Sequence, residues 1–261
     1  MPHKVYFEFG SVWENSLSLS VKIKHYMLTH IKMDKVLFLD IETVPQHRDY
    51  DSVPEKFKKL WDHKAKRLAT TDTDTPESLY ERAGIYAEFG KIICISVGYI
   101  RNHQLRIKSF AHDDEVILLT DFASLLNQSF CTPDVLLCAH NGKEFDFPYL
   151  CRRMLINRIP LPLLLDTSGR KPWEVQHIDT MEMWKFGDYK NYTSLNLLTA
   201  IFDIPTPKDD IDGSQVAKTY WHDNDLQRIA TYCQKDVVAI VQLLLRYKGM
   251  PLLEDENIIF T

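Results

Sequence analysis

Short apolar runs and helical stripes take turns along the chain. Residues 36–40 form an apolar run that ends in an acid, which predicts a central strand with its polar residue at the C-terminal end. Residues 46–90 are polar and charged; 54–68 predict a helix and 70–76 a turn-rich break, so this stretch is an excursion from a sheet. Residues 91–100 and 105–110 predict two β-runs joined by Arg101-Asn102-His103-Gln104, a hairpin. A helix follows over 113–130, with Asp113 or Asp114 as N-cap. Residues 134–139 predict a second buried strand, and 144–157 a helix carrying apolar Phe145, Tyr149, Leu150 and Met154. The last short strand falls near His177-Ile178-Asp179, where Asp179 reads as a helix or strand cap. From Ser194 the pattern is helical, broken at Ile204-Pro205-Thr206-Pro207, and 223–247 reads as one long helix with the stripe Ile229, Val237, Ile240, Val241 and Leu244. Strands alternating with helices predict an α/β fold, a mixed sheet flanked by helices.

The first 32 residues show no such period. They mix aromatics, serines and scattered charges, and are expected to be a poorly ordered N-terminal extension ahead of a main domain over 33–250 and a tail over 251–261. Glu8 and Glu14 interrupt any secretory h-region and weaken a mitochondrial leader, so Met33 or Met27 is the expected natural start. A chain of 261 residues accommodates one large α/β domain. No apolar run approaches the roughly 18–20 residues that span a bilayer, so no membrane partner is expected.

Charge narrows the partners further. The net charge of −5 and pI near 6.1 exclude a bulk electrostatic binder of polyanions; such contact must be local or bridged by cations. Cys94, Cys131, Cys138, Cys151 and Cys233 form no CxxC pair and are odd in number, which reads as reduced, mostly buried thiols in a cytoplasmic protein.

Three separated segments carry acids in suggestive places. Asp40-Ile41-Glu42-Thr43 ends the first strand, and residues two apart on a strand share a face, so Asp40 and Glu42 can converge on one cation. His140-Asn141-Gly142-Lys143-Glu144-Phe145-Asp146 follows the second buried strand; Asn141-Gly142 signals a turn, and Asp146 falls in the first turns of the next helix. Tyr232 and Asp236 are four apart on the long helix and share a face. Taken singly, each has a bland reading as a solvated rim, a first-turn acid, or an amphipathic helix with one tyrosine. Four clustered carboxylates repel, and divalent cations make such a set tolerable. Oxygen-only ligands select hard ions, Mg²⁺ or Mn²⁺, over zinc.

These motifs resemble those of the DEDDy branch of the DnaQ-like 3′→5′ exonucleases on the RNase H-like fold, and within it the stand-alone relatives of the proofreading domain of family B DNA polymerases. Leu39-Asp40-Ile41-Glu42-Thr43 is similar to the first motif, Asn141 to Asp146 with Pro148-Tyr149-Leu150 to the second, and Tyr232-Cys233-Gln234-Lys235-Asp236 to the third. The sister branch has a histidine five residues before the last acid, where this chain has Thr231. Lys208-Asp209-Asp210-Ile211-Asp212-Gly213-Ser214 resembles a segment typical of the stand-alone group, and the likeness covers about residues 35–248. It implies a metal-dependent enzyme that removes nucleoside monophosphates from the 3′ end of nucleic acid, single-stranded DNA in the main reading, with two divalent cations about 3.5–4 Å apart. On that resemblance Asp40 bridges both ions, Glu42 and Asp236 complete one site, and Asp146 holds the second. Tyr232 orients the attacking water; its unperturbed pKa of about 10 makes it a poor base. Thr43 is expected at the terminal 3′ hydroxyl, Asn141 pinning the second motif, and Phe145 wedging or stacking on a base. Lys143, Arg152, Arg153, Lys185, Lys190 and Lys235 are candidates to meet phosphates, none singled out. The alternatives are a silent nucleic-acid-binding or scaffold module on the same fold, and an RNA-trimming exonuclease.

Overall fold

The apolar run at 36–39 becomes the middle of a sheet, and its two faces are covered by different helices. The structure is a computed structural model and describes residues 28–205 and 211–261. Among these, six strands pair in the order β5-β4-β1-β2-β3-β6. They are β1 (Val36–Pro45), β2 (Gly90–Arg101), β3 (Gln104–Ala111), β4 (Leu136–Ala139), β5 (Ile178–Asp179) and β6 (Ile258–Phe260). The antiparallel trio β1, β2, β3 is extended by β4 parallel to β1, β5 parallel to β4 and β6 parallel to β3. Numbering α-helices of six residues or more, α1 is Glu55–Leu68, α2 Glu115–Ser129, α3 Asp146–Ile156, α4 Thr180–Lys185, α5 Leu195–Ile201 and α6 Leu226–Tyr247. This is the RNase H-like mixed sheet flanked by helices that the motifs imply.

Strand alternation sorts β1 between the layers. Leu37, Leu39 and Ile41 face a cluster with Leu118 and Phe122 of α2 and Leu150 and Met154 of α3. Val36 and Phe38 face Val237, Ile240, Val241 and Leu244 of α6. Asp40 and Glu42 continue the second set, so the strand's own period aims both carboxylates at the helix that bears Tyr232 and Asp236. Gly98 of β2 lets α6 lie this close: a Cβ there would meet Val237 Cγ1 at 2.8 Å.

The hairpin is tighter than its four-residue connection suggests. Arg101 pairs with Gln104, leaving Asn102 and His103 as a two-residue turn with φ of +53° and +62°, the left-handed pair that suits twisted strands. Asp114 rather than Asp113 caps α2, accepting from the amides of Val116 and Ile117. The long helix begins at Leu226, because Thr219–Asp223 form a separate π turn stopped by left-handed Asn224.

Three expectations change. The boundary at residue 33 cuts through packed chain: Ile31 is buried with Val36 and Phe38, and Lys248 Nζ donates to the carbonyls of Leu28 (2.5 Å) and Ile31 (2.8 Å). Residues 1–27 of the expected extension lie outside the described residues, as do Lys208-Asp209-Asp210 of the segment likened to the stand-alone group. The expected tail contributes an edge strand, because Gln242 clamps both backbone groups of Leu253 and the chain then returns to β3, ending with the Thr261 amide on Ile107 O at 2.8 Å. Arg153 meets no solvent: its Nε reaches Glu115 Oε1 at 2.9 Å and its Nη1 the Ala87 carbonyl at 2.8 Å, a buried pairing that locks α3 to α2. A buried ion pair of this kind costs about 3–5 kcal/mol to break from one side, so Arg153 is structural rather than a phosphate contact.

Candidate active site

β4 pairs with β1 only as far as Phe38, opposite Cys138. Beyond it β1 runs on with β2 alone, and the chain leaving β4 turns across the exposed flank. Asn141 makes that turn at φ +62°, and its carbonyl accepts from the amides of Glu144 and Phe145. Gly142 is required next to it, since a Cβ would sit 2.4 Å from that of Ala139. The turn delivers Asp146 to the first position of α3, with its carboxylate beside the Ile41 backbone amide. Asp146 thus comes to the β1 flank beside Asp40 and Glu42.

Asp179 holds the turn in place. Its buried carboxylate accepts from four backbone amides: Asn141 (3.0 Å), Lys143 (3.0 Å), Met181 (2.9 Å) and Glu182 (3.1 Å). It is the helix cap that the sequence suggested, for α4, and it is also the pin of the second motif. Asn141 takes part through its backbone and its left-handed conformation.

From the other side α6 contributes Tyr232, Cys233 and Asp236. Cys233 lies in the buried stripe between Ile229 and Val237. Its Sγ is 3.4 Å from Asp40 Oδ2 and 3.4 Å from the Asp40 carbonyl, and ligand atoms of Asp40, Glu42 and Cys233 lie within 4.8 Å of one another. Sequence reasoning missed this thiol, although its fourfold spacing from both stripe neighbours placed it on that face. Burial first, then Cys94, Asp40 and Glu42, push its pKa well up. It stays a protonated donor, and a thiol in that state is not a metal ligand.

The four acids share one field. Glu42 and Asp146 are buried, at 7% and 4% exposure, and Asp40 is partly so. Burial, then the charges of Asp236, Glu42 and Asp146, hold the Asp40 carboxyl well above the usual range; the Cys233 thiol opposes them. Glu42 is raised by burial, then Asp236, Cys94 and Asp146. Asp146 is pushed up to about 7, chiefly by burial, against its own amide and that of Ile41. Tyr232 is driven far up by burial, then by the charges of Asp236, Glu42 and Asp40 beside it. Such mutual repulsion is the signature expected of a carboxylate set built for divalent cations.

A profile described as a predicted 3′-5′ exonuclease related to the exonuclease domain of PolB matches residues 85–255. The chain belongs to this family. The matched stretch contains Asp146, Tyr232 and Asp236, while Asp40 and Glu42 precede it on β1. Among solved structures, this PolB-related chain is similar to the family B DNA polymerase of the hyperthermophilic archaeon Pyrobaculum calidifontis, at 15% identity and a TM-score of 0.46, over 80% of this chain and 24% of that one. It is also similar to the RNase domain of the yeast Pop2 protein, at 12% identity and a TM-score of 0.35, covering 89% and 86% of the two chains. A third likeness is to a structure of the yeast NOT1 MIF4G domain co-crystallised with CAF1, at 13% identity and a TM-score of 0.39, covering 96% and 97%.

The remaining expected residues of this PolB-related chain do not all join the acids. Thr43 lies beside the Tyr149 phenol, on the α3 side of β1, and that phenol donates to the Gly84 carbonyl at 2.7 Å. Phe145 is half-buried, its ring 5.2 Å from that of Tyr149. Lys143 pairs with Glu182 at 2.6 Å and Lys185 with Glu144 at 3.5 Å, so both have partners within the fold. A groove of about 880 Å³ borders the site, with Tyr232 and Asp236 in its wall beside Gln242, Leu253 and Ile258; Asp40, Glu42 and Asp146 lie outside that wall. Among the described residues no helix is long and apolar enough to cross a membrane.

Proposed function

We propose that the protein hydrolyses phosphodiester bonds from the 3′ end of single-stranded DNA, releasing nucleoside monophosphates, with two Mg²⁺ or Mn²⁺ ions as cofactors. One observation carries this reading: Asp40, Glu42, Asp146 and Asp236 come from three elements into one field, where burial and then the charges of neighbouring acids, Asp236 among them, hold Asp40, Glu42 and Asp146 above the usual carboxylate range. An all-oxygen set with this excess of negative charge fits hard divalent cations. Asp40, Glu42 and Asp236 would hold one ion, and Asp40 with Asp146 the other. Bound there, the cations would supply an activated water and a counter-charge for the leaving 3′ oxygen. Tyr232 remains protonated beside Asp236, so its role is to fix the orientation of the attacking water by a hydrogen bond. Cys233 steadies the Asp40 carboxylate from beneath. The free thiols throughout the chain fit a reducing compartment, the cytoplasm.

A 5′-labelled single-stranded DNA oligonucleotide should shorten stepwise with Mg²⁺ or Mn²⁺ and stop with EDTA. The same oligonucleotide as RNA, run in parallel, tests the sugar. In Asp40→Asn, hydrolysis should be lost and the metal-free protein should melt no lower than wild type, because one repelling charge is gone. Intact oligonucleotide with either ion and folded wild-type protein would leave a nucleic-acid-binding module as the better account.

A further inference from the structure

Three aromatic rings stand exposed on the segment after α4: Phe186 at 81%, Tyr189 at 82% and Tyr192 at 61%. Phe186 closes the helix with φ at +44°, a left-handed position that favours Gly or Asn, and Gly187 follows at +92°. A bulky ring there is backbone-strained and gains nothing from burial, so its place is not explained by stability of the free protein. The segment is fastened to the acid-bearing turn. Tyr192 Oη donates to Glu144 Oε1 at 3.4 Å, Lys185 Nζ lies 3.5 Å from the same oxygen, and His140 bonds the Thr193 carbonyl at 2.9 Å. Glu144 is two residues before Asp146. Lys185 Nζ sits 3.9 Å from the centre of the Tyr192 ring, and Lys190 is exposed between the two tyrosines.

We propose that this segment, Phe186 to Tyr192, is the stacking surface for the bases of the single strand whose 3′ end enters the candidate active site. The proposal rests on the exonuclease reading for what enters that site. The rings fit unpaired bases, and Lys190, exposed beside Tyr189, fits their phosphates, in a chain whose net charge of −5 otherwise repels them. Lys185 is largely covered and paired with Glu144, and Asp188 is exposed on the same segment. Stacking needs free base faces, which a single strand offers and a duplex does not. It reads no base edge, so the surface accepts any sequence.

The test separates binding from cleavage. Fluorescence anisotropy of a labelled 12-nucleotide single strand in EDTA is measured for wild type, Tyr189→Phe and the double variant Phe186→Ala/Tyr189→Ala. The double variant should bind at least about tenfold more weakly, Tyr189→Phe as wild type, and a 12-base-pair duplex more weakly than the single strand. The double variant should keep its melting temperature and, with Mn²⁺, its hydrolysis of a dinucleotide, which is too short to lie over the rings. Equal affinity in wild type and double variant overturns the proposal and leaves the rings to a protein partner. Wild type that binds no single strand overturns it too, as does a double variant that loses folding or dinucleotide hydrolysis along with affinity. If binding depends on the rings but no substrate is cut under either metal, the stacking surface stands and the exonuclease reading falls.

Discussion

The Tyr232 phenol sits against three carboxylates and under partial burial, all of which raise its pKa. A phenol held up in this way serves as a hydrogen-bonding group rather than as a base. Tyr232→Phe keeps the ring against Cys233 and Ile229 and removes the hydroxyl alone. The expected outcome is a fall in kcat of about 10–1,000-fold, equivalent to about 1.4–4 kcal/mol, with a stability loss of at most about 1.5 kcal/mol. Single-turnover rates and melting curves read the two separately; wild-type turnover would leave the four acids as the whole machinery. The acids and the tyrosine were legible because each stands in a short local motif. Cys233 and the double role of Asp179 were not, since what defines them is across the fold: Asp40 for the thiol, and the amides of Asn141 and Lys143 for the carboxylate.

Elements whose signal is periodic were legible in the same way: β1, the hairpin, α2 and the body of α6. Elements made by distant pairing were not. Ile258-Ile259-Phe260 is too short to declare itself, and its partner is β3. β4 and β5, expected at 134–139 and near His177–Asp179, are short as well, and they depend on a tie supplied by His177, just ahead of β5. The Leu137 amide donates to His177 Nδ1 at 3.2 Å, and its Nε2 bonds the Leu164 carbonyl at 2.9 Å, with the ring edge-on to Phe147. Protonating Nδ1 would set one N–H against another. Burial, with help from Lys143 and Arg170, lowers the pKa to about 4, against about 6.5 unfolded. The unfolded chain therefore takes up a proton first as pH falls. Stability present above pH 6.5 is lost toward pH 4, by up to about 1.4 kcal/mol per pH unit from this group. Denaturation midpoints across that window should fall less steeply in His177→Gln; an unchanged slope would assign the acid sensitivity elsewhere.

For the molecule as a whole, the described chain packs from Leu28 to Thr261 rather than from 33 to 250. A chain beginning at Met33 loses Ile31 from the core and the two acceptors of Lys248. Compared with one beginning at Met27, it should be less stable by about 2–3 kcal/mol in urea unfolding; identical midpoints would show that the 28–32 segment adds nothing. The candidate site, for its part, draws two acids from β1, one from the start of α3 and one from the middle of α6. That dispersal has a temporal meaning. β2 and β3 pair locally as a hairpin, β1 joins them across the 46–89 excursion, and the last carboxylate arrives only when α6 docks, against the repulsion of the three already gathered. Catalytic competence would then come last in folding and go first in unfolding, so that a chain still searching for its fold carries no hydrolytic risk to the nucleic acids around it.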